Sequence, residues 1–314
     1  MSGKFSGYLR WKHDHIDALN AGSQVIDTAK GPVEYALVGD QGPVLAVNHG
    51  GPGGYDQGLV ITRRLQNQGY KILTWSRPGY LRTPITTGQT LEQQADVLAA
   101  LMDALGIEKA AVMGASAGGP VTLAMGYTHP EKVACLISEC GVSLTYGKQF
   151  KTSQKLFEHL MFNDPVMWLY EQYEHLAPES TLRSFIKLES TLDKEHVEAL
   201  VKSIEADPER VGLMLDMIGT MCPISLRREG MDNDLAQLAA IDTLPVEKIS
   251  APLLLVHGDH DADVPIAHAR YVAEHAPHAE LMVIENGYHL LGMSDQAPQI
   301  AERELSFLHT HLKA

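Results

Sequence analysis

The sequence predicts an α/β protein with a mostly parallel sheet, helices on both faces, and a helical cap inserted into the chain. Two observations carry this prediction. Short apolar runs alternate with helical patterns over residues 24–138 and again over residues 252–311. Between them, residues 143–239 contain helix-like segments rich in Met, Leu, Glu and Lys and no convincing strand. Because regular strand–helix–strand alternation is typical of parallel sheets, the interruption is interpreted as an insertion.

Eight strands are predicted. The first two flank the turn signal Lys-Gly-Pro at residues 30–32, which favours an antiparallel hairpin at the entry to the sheet. Each of the other six is a short apolar run. The predicted strands are residues 24–27, 33–38, 43–48, 71–75, 110–113, 133–138, 252–256 and 281–284.

Helices are predicted between these strands. In residues 91–106 the apolar side chains recur close to every 3.6 positions, which indicates a helix with one buried face. Thr90 would cap its start and Gly106 would end it. The other predicted helices of the core are residues 119–129, 266–275 and 298–311.

The chain is therefore divided into three parts. The predicted parts are an N-terminal extension (residues 1–22), a core (23–142 and 240–314) and a cap (143–239). The role of the extension stays open. Its apolar residues that could pack on the cap or on a partner chain are Tyr8, Leu9 and Trp11.

Composition is that of an ordinary soluble globule: 45% of the 314 residues are hydrophobic and 20% are charged, with a formal net charge of −14. Such an acidic surface repels phosphates, which argues against nucleic acid and anionic membranes as partners. No stretch approaches the ~20 apolar residues of a membrane span, and no secretory signal is visible. Three cysteines make neither a disulfide framework nor a zinc pattern. We expect a cytoplasmic protein without metal or other cofactor; its oligomeric state stays open.

The most informative motif is Gly-Ala-Ser-Ala-Gly at residues 114–118, which fits G-x-S-x-G between a predicted strand and a predicted helix. A sharp turn there would hold Ser116 in a strained conformation and expose its hydroxyl. The start of the following helix offers backbone N–H groups and the positive end of a dipole. Ser116 is therefore the candidate nucleophile, and the alternative is a turn without chemistry.

His-Gly-Gly-Pro-Gly-Gly at residues 49–54 follows a predicted strand. Such a loop can bring a backbone N–H close to a reacting carbonyl oxygen. The candidate oxyanion donors are the N–H groups of Gly51 and of Ala117, the residue after the serine. The competing interpretation is a phosphate-binding loop, but these residues lack both the Lys-Ser/Thr of a P-loop and the G-x-G-x-x-G spacing of a dinucleotide site.

An acidic loop at residues 257–265 follows the seventh predicted strand and contains Asp259, Asp261 and Asp263. A metal site there is conceivable, but acidic loops at strand ends are common. The preferred interpretation is that one of these carboxylates orients the imidazole of His289, which lies just beyond the last predicted strand. Serine, acid and histidine then follow one another in an order known for catalytic triads.

Together these features resemble the α/β-hydrolase superfamily with a helical cap, over about residues 23–312. His-Gly-Gly-Pro-Gly at residues 49–53 resembles proline iminopeptidases and meta-cleavage hydrolases. Ser-Arg-Pro-Gly-Tyr at residues 76–80 resembles the loop that these families carry after the fourth strand.

The resemblance also bears on the acid. The family pattern H-G-x-x-D-x-x-V-P implies Asp261, with Asp259 as the second candidate. Glu139 is a third, because some members keep their acid at the end of that strand, whereas Asp263 has no support from the family. A serine nucleophile argues against epoxide hydrolase and haloalkane dehalogenase chemistry, which needs a carboxylate at that position.

The preferred function is a carboxylic ester hydrolase of the carboxylesterase type that acts on a small-molecule substrate through the triad Ser116, Asp261 and His289. Its activity would rise with pH through about 6–7 as the histidine loses its proton. An aminopeptidase similar to proline iminopeptidase would need a carboxylate cluster in the cap. A C–C bond hydrolase, an acyltransferase and a non-catalytic ligand-binding protein are further alternatives.

Four residues of the cap form one helical stripe; they are Met214, Met217, Ile218 and Met221. The stripe could be core packing or the lining of an acyl pocket. Asp216 points away from it and is either a solvated acid or an anchor for a substrate amine. Residues 226–230, Leu-Arg-Arg-Glu-Gly, are interpreted as a solvated turn.

Overall fold

The computed structural model describes residues 2–147 and 162–312 of the chain. Residues 148–161 of the predicted cap lie outside the described residues. The strands are β1 (Gln24–Thr28), β2 (Gly31–Val38), β3 (Val44–Asn48), β4 (Lys71–Trp75), β5 (Ala110–Ala115), β6 (Val133–Glu139), β7 (Leu253–Gly258) and β8 (Ala279–Ile284).

These eight strands form one sheet in the order β1-β2-β4-β3-β5-β6-β7-β8. β1 and β2 form the predicted antiparallel hairpin, and β2 also pairs antiparallel with β4. The remaining pairings are parallel. The predicted fold class is thereby confirmed.

Helices cover both faces of the sheet. The described helices are α1 (Ser2–Ala21), α2 (Tyr55–Ile61), α3 (Leu91–Ala104), α4 (Gly119–Thr128), α5 (Asp164–Leu176), α6 (Pro178–Glu189), α7 (Lys194–Glu205), α8 (Pro208–Gly219), α9 (Arg228–Ala240), α10 (Ala267–His275) and α11 (Ala297–His311). Among the described residues, no helix is both long and apolar enough to cross a membrane.

Alternating side chains of each strand supply two separate apolar cores. In β7, Leu255 packs on the side of α3 and α4, whereas Leu254 packs on the side of α11 with Phe307. Each such fully buried side chain contributes roughly 1.5–3 kcal/mol of stability. α3 begins as predicted, because the Thr90 hydroxyl accepts the N–H of Gln93 and the Gln93 side chain returns the contact in a capping box.

The five helices α5 to α9 lie between β6 and β7 in the chain; they are called the inserted helices below. They have an apolar cluster of their own, which includes Leu182, Val197 and Met214. Part of this cluster reaches Tyr288 and Met293, which follow β8. The inserted helices are therefore packed against the loops at one edge of the sheet.

The N-terminal extension is the helix α1, which the sequence did not predict. The Trp11 indole N–H donates to Glu171 of α5, and Lys12 Nζ lies 2.6 Å from Asp164 Oδ2. The Tyr8 ring lies 6.0 Å from that of Trp168. Two of the three apolar residues singled out in the extension thus pack on the inserted helices, whereas Leu9 is 50% exposed.

Candidate active site

Ser116 stands at the sharp turn between β5 and α4, with a positive φ of 50°. This left-handed conformation is uncommon for a residue other than glycine. The turn is possible because its flanking glycines leave room. A Cβ on Gly114 would lie 2.1 Å from Thr122 Oγ1, and one on Gly118 would lie 2.3 Å from the Asn48 carbonyl oxygen. Nearby residues of the same chain therefore enforce the strained turn that the motif predicts.

The hydroxyl of this turn belongs to a cavity of about 1220 Å³. Ser116 and His289, which follow strands of the sheet, line it together with Phe185 and Met217 of the inserted helices, so the cavity lies between the sheet edge and these helices. Gly51, the first predicted oxyanion donor, also lines it. The predicted nucleophile and base thus share one space.

Asp261 and His289 are directly joined. His289 Nδ1 lies 2.8 Å from Asp261 Oδ2, and the other oxygen of Asp261 accepts the N–H groups of Asp263 (2.9 Å) and Val264 (2.8 Å). Burial acts to raise the pKa of Asp261, but the charge and hydrogen bond of His289 outweigh it, so this pKa lies below its usual value.

The same pair acts on the imidazole. Burial acts to lower the pKa of His289, but the charge and hydrogen bond of Asp261, with contributions from Cys140 and Asp263, raise it well above 6.5. The Cys140 thiol contacts His289 and is itself neutral, because burial raises its pKa to about 12. The structure therefore surrounds this histidine with groups that favour its charged form, so the rise of activity with pH should lie above the range of about 6–7 expected from an ordinary histidine.

No hydrogen bond joins Ser116 to His289 in the described residues. Instead, His289 Nε2 lies 3.5 Å from Asp263 Oδ2. The carboxylate of Glu189, at the end of α6, completes a cluster in which ligand-type atoms of Glu189, Asp263 and His289 lie within 4.8 Å of one another. Burial, with the charges of Asp263 and Asp261, raises the pKa of Glu189 to about 7, although His289 acts against the shift.

The main chain of Glu189 also links the inserted helices to the acidic loop. Its carbonyl oxygen accepts the N–H groups of Ala262 and His289, each at 3.3 Å. The next residue, Ser190, forms an antiparallel bridge with Asp261. The end of α6 is thus hydrogen-bonded to the loops of both the acid and the base.

The other acid candidates lie elsewhere. Asp259 is exposed, and its backbone N–H donates to the Ile284 carbonyl. Glu139 pairs with Arg64, which also binds Glu304. Burial raises the pKa of Glu139 well above its usual value against the opposing charge of Arg64. Of the three candidates from the family pattern, only Asp261 contacts the histidine.

The predicted oxyanion loop is hydrogen-bonded to a buried arginine, Arg77. A Cβ on Gly51 would lie 3.7 Å from that of Ala117, so the two predicted donors are neighbours. Arg77 donates its backbone N–H to His49 Nε2 (3.0 Å) and its Nε–H to the His49 carbonyl (3.1 Å). Its guanidinium is fully buried and forms two hydrogen bonds of 2.6 and 2.7 Å with Asp234 of α9. The sequence motif at 76–80 contained this arginine but did not indicate its role.

Two groups of described residues have ligand atoms close enough for a metal ion: Cys140, Asp261 and His289, and Glu189, Asp263 and His289. Both include His289. A metal bound by either group would therefore occupy the imidazole that acid–base chemistry at Ser116 requires.

The methionine stripe divides between the two interpretations. Met214 and Ile218 are buried in the apolar cluster of the inserted helices, whereas Met217 and Met221 line the cavity. Asp216 is 54% exposed and does not line the cavity, although its partner Arg63 does.

The expected solvated turn at 226–230 is wrong for Arg227. This side chain is fully buried because its guanidinium binds Asp56 and the carbonyl oxygens of Gly53 and Cys222.

Residues 43–296 match the sequence model of a protein family described as alpha/beta hydrolase fold. An alpha/beta hydrolase fold protein from Nakamurella multipartita superposes with a TM-score of 0.83 at 35% identity, covering 91% of this chain and 98% of that one.

Curated relatives point to several chemistries. The "uncharacterized hydrolase YcgS" of Bacillus subtilis is 27% identical over 89% of this chain and 96% of its own length. A pimeloyl-[acyl-carrier protein] methyl ester esterase of Aromatoleum aromaticum is 27% identical over 68% of this chain and 78% of its own. A 2-hydroxy-6-oxononadienedioate/2-hydroxy-6-oxononatrienedioate hydrolase of Paraburkholderia phymatum is 25% identical over 62% and 70%.

Proposed function

The chain belongs to the α/β-hydrolase family, and on this premise we propose that it is a serine hydrolase that cleaves carboxylic esters of small to medium substrates through an acyl-enzyme. The supporting observation is the Asp261–His289 hydrogen bond of 2.8 Å on the cavity that also holds the strained Ser116. A nucleophile, a base and a group that orients the base then share one space.

In the proposed reaction, Ser116 attacks the ester carbonyl carbon while His289 Nε2 takes its proton. Asp261 holds the proton on Nδ1 and stabilises the imidazolium. The N–H groups of Gly51 and Ala117 hold the oxyanion, and each such donor typically lowers the barrier by ~3 kcal/mol. The imidazolium then gives its proton to the departing alcohol. Water attacks the acyl-enzyme with His289 again as the base, and the acid is released.

The serine–histidine hydrogen bond that this mechanism needs is one that often tightens only when substrate binds. The inserted helices would then belong to the predicted cap, residues 143–239, over the cavity. Phe185 of α6 and Met217 of α8 support this role because they line the same cavity as Ser116.

An aminopeptidase is the second candidate. The observation in its favour is Glu189, an acid of the inserted helices that lies beside Asp263 and His289 in the cavity. Two carboxylates near the reaction centre could receive the amine of a substrate. The ester reaction is preferred because it needs only the triad, the donors and an apolar pocket.

The test uses purified full-length protein with a p-nitrophenyl butyrate ester and a proline p-nitroanilide. We expect ester turnover to exceed anilide turnover. Ser116→Ala should lower ester turnover by at least about a thousandfold while the protein stays folded. The exposed Ser184→Ala is the matched control and keeps wild-type activity. A fluorophosphonate should label Ser116 alone. Higher anilide turnover would favour the aminopeptidase, and full activity of Ser116→Ala would contradict the nucleophile.

A further inference from the structure

The base nitrogen of His289 has a carboxylate neighbour that the triad does not use. Nδ1 is bound to Asp261, so Nε2 is the nitrogen left to accept the serine proton. That nitrogen lies 3.5 Å from Asp263 Oδ2, and no hydrogen bond in the described residues joins it to Ser116. Asp263 therefore occupies the side of the imidazole where the nucleophile has to act.

The Asp263 carboxylate is held in this place from two directions. The Tyr146 hydroxyl donates to Asp263 Oδ1, and the backbone N–H of Asp263 donates to Asp261 Oδ1. Tyr146 is in turn attached to α9, because its backbone N–H donates to the Leu238 carbonyl at 3.0 Å. The carboxylate is thus fixed relative to Asp261, which fixes the imidazole.

We propose, on the premise of the function proposed above, that Asp263 is a positioning residue for His289: its carboxylate competes with Ser116 for Nε2 and holds the protonated imidazole away from the serine.

The charge state of the imidazole decides which partner His289 Nε2 favours. An imidazolium carries N–H groups on both nitrogens, and its Nε2–H faces the Asp263 carboxylate, with which it forms an ion pair at 3.5 Å. After this proton passes to solvent, Nε2 presents a lone pair, which a carboxylate oxygen repels. The Ser116 hydroxyl, a donor on the same cavity, then becomes the favourable partner. Loss of one proton therefore both creates the base and turns it toward its nucleophile.

Other groups also face this histidine and enter the same balance. Asp261 and Asp263 approach from the loop after β7, Cys140 from the end of β6, and Glu189 from the end of α6. His257 Nε2, in β7, lies 3.6 Å from Asp261 Oδ2. Among the described residues, Asp263 and Glu189 are the two acids grouped with His289 apart from Asp261, so their effects must be separated by experiment.

The test is the pH dependence of kcat/KM for the butyrate ester with Asp263→Asn. Removing a negative charge beside the imidazolium lowers the pKa of His289, so the acid limb should move to lower pH by about one unit. One unit below the wild-type midpoint, the variant should keep roughly half of its plateau where the wild-type enzyme keeps about a tenth. Asp259→Asn removes the same charge from an exposed site in the same loop and should leave the limb in place.

Each further outcome is decisive. An unmoved limb with kcat lowered at every pH would mean that Asp263 has a structural role only, and the proposal fails. If Asp263→Asn does not fold, Tyr146→Phe frees the carboxylate, and an unmoved limb in that variant overturns the proposal. In a Glu189→Gln background the Asp263→Asn shift should persist; its disappearance would transfer the role to Glu189.

Failure of the underlying function has a different signature. If the fluorophosphonate does not label Ser116, the proposed serine hydrolase function itself is rejected. Labelling of Ser116 together with an unmoved limb rejects only the role of Asp263.

Discussion

At the scale of single residues, the strain at Ser116 is held by its surroundings. A non-glycine residue with φ of 50° costs of order 1–3 kcal/mol and persists only where neighbouring structure enforces it. Here β5 enters the turn, α4 leaves it, and Gly114 and Gly118 allow the two to approach. The conformation therefore depends on the absence of side chains at Gly114 and Gly118, where neighbouring atoms approach too closely for a Cβ.

This dependence on glycine predicts the effect of Gly114→Ala. The new methyl group would lie 2.1 Å from Thr122 Oγ1 and 2.6 Å from the Gly118 carbonyl oxygen, so the backbone has to move. We expect a loss of about 1–3 kcal/mol in the free energy of unfolding, measured in urea, and a larger proportional loss of esterase activity. Gly212→Ala is the control: its Cβ meets nothing within 4 Å in α8, and the change should be neutral or slightly stabilising. Equal effects of both substitutions would contradict this account.

The acidic loop shows how far sequence can predict a site. Asp259, Asp261 and Asp263 are two residues apart, and spacing alone left all three open; the family pattern selected Asp261. In the structure, Asp259 is exposed, Asp261 meets Nδ1 and Asp263 lies near Nε2. The role of Asp263 could not be predicted, because it depends on where the Tyr146 hydroxyl and the imidazole meet it in space.

At the scale of elements, the strands were the most predictable. The sequence predicts β4 with its observed bounds. Its short apolar run is flanked by polar segments, and most of the run is buried in the structure. α1 and α2 were not predicted. α1 depends on tertiary contacts such as those of Trp11, and α2 has seven residues that follow a glycine-rich loop without a side-chain cap. Both helices are stabilised by what they pack against, which local pattern does not reveal.

A contact between two elements carries the next prediction. Asp234 of α9 is the partner of the buried Arg77, which holds the loop at 49–54. Asp234→Ala leaves that guanidinium buried and unpaired, so we expect a loss of about 3–5 kcal/mol in the free energy of unfolding and a lower kcat. Asp216→Ala breaks the exposed pair with Arg63 and should cost at most about 1 kcal/mol. Equal losses in urea unfolding would show that the Asp234 pair is not a buried charge.

At the scale of the whole molecule, the topology gathers the site. Ser116, Asp261 and His289 follow β5, β7 and β8, whose pairing through β6 is parallel, so their carboxyl ends share one edge of the sheet. Their position at one edge of the sheet was therefore predictable from strand order in the sequence. Glu189 was not, because the position of an insertion over the sheet has no counterpart in strand alternation.

The N-terminal helix joins the same assembly. Trp11 is 8% exposed and packs in a cluster whose members Phe162, Met221 and Met231 also line the cavity. We expect Trp11→Ala to lower the free energy of unfolding by about 3 kcal/mol and to raise KM more than it lowers kcat. Leu9→Ala, on the exposed side of α1, should change stability by no more than ~0.5 kcal/mol. Urea unfolding and ester kinetics check both, and an unchanged KM in Trp11→Ala would separate α1 from the pocket.

The carbonyl oxygen of Glu189 accepts N–H groups from both Ala262 and His289. Any swing of α6 away from the sheet would break both bonds at once and loosen the imidazole from its support. On the proposed mechanism, a conformation opened along this side would leave the imidazole supported by Asp261 alone, so we expect substrate to react fastest when α6 is closed against these loops.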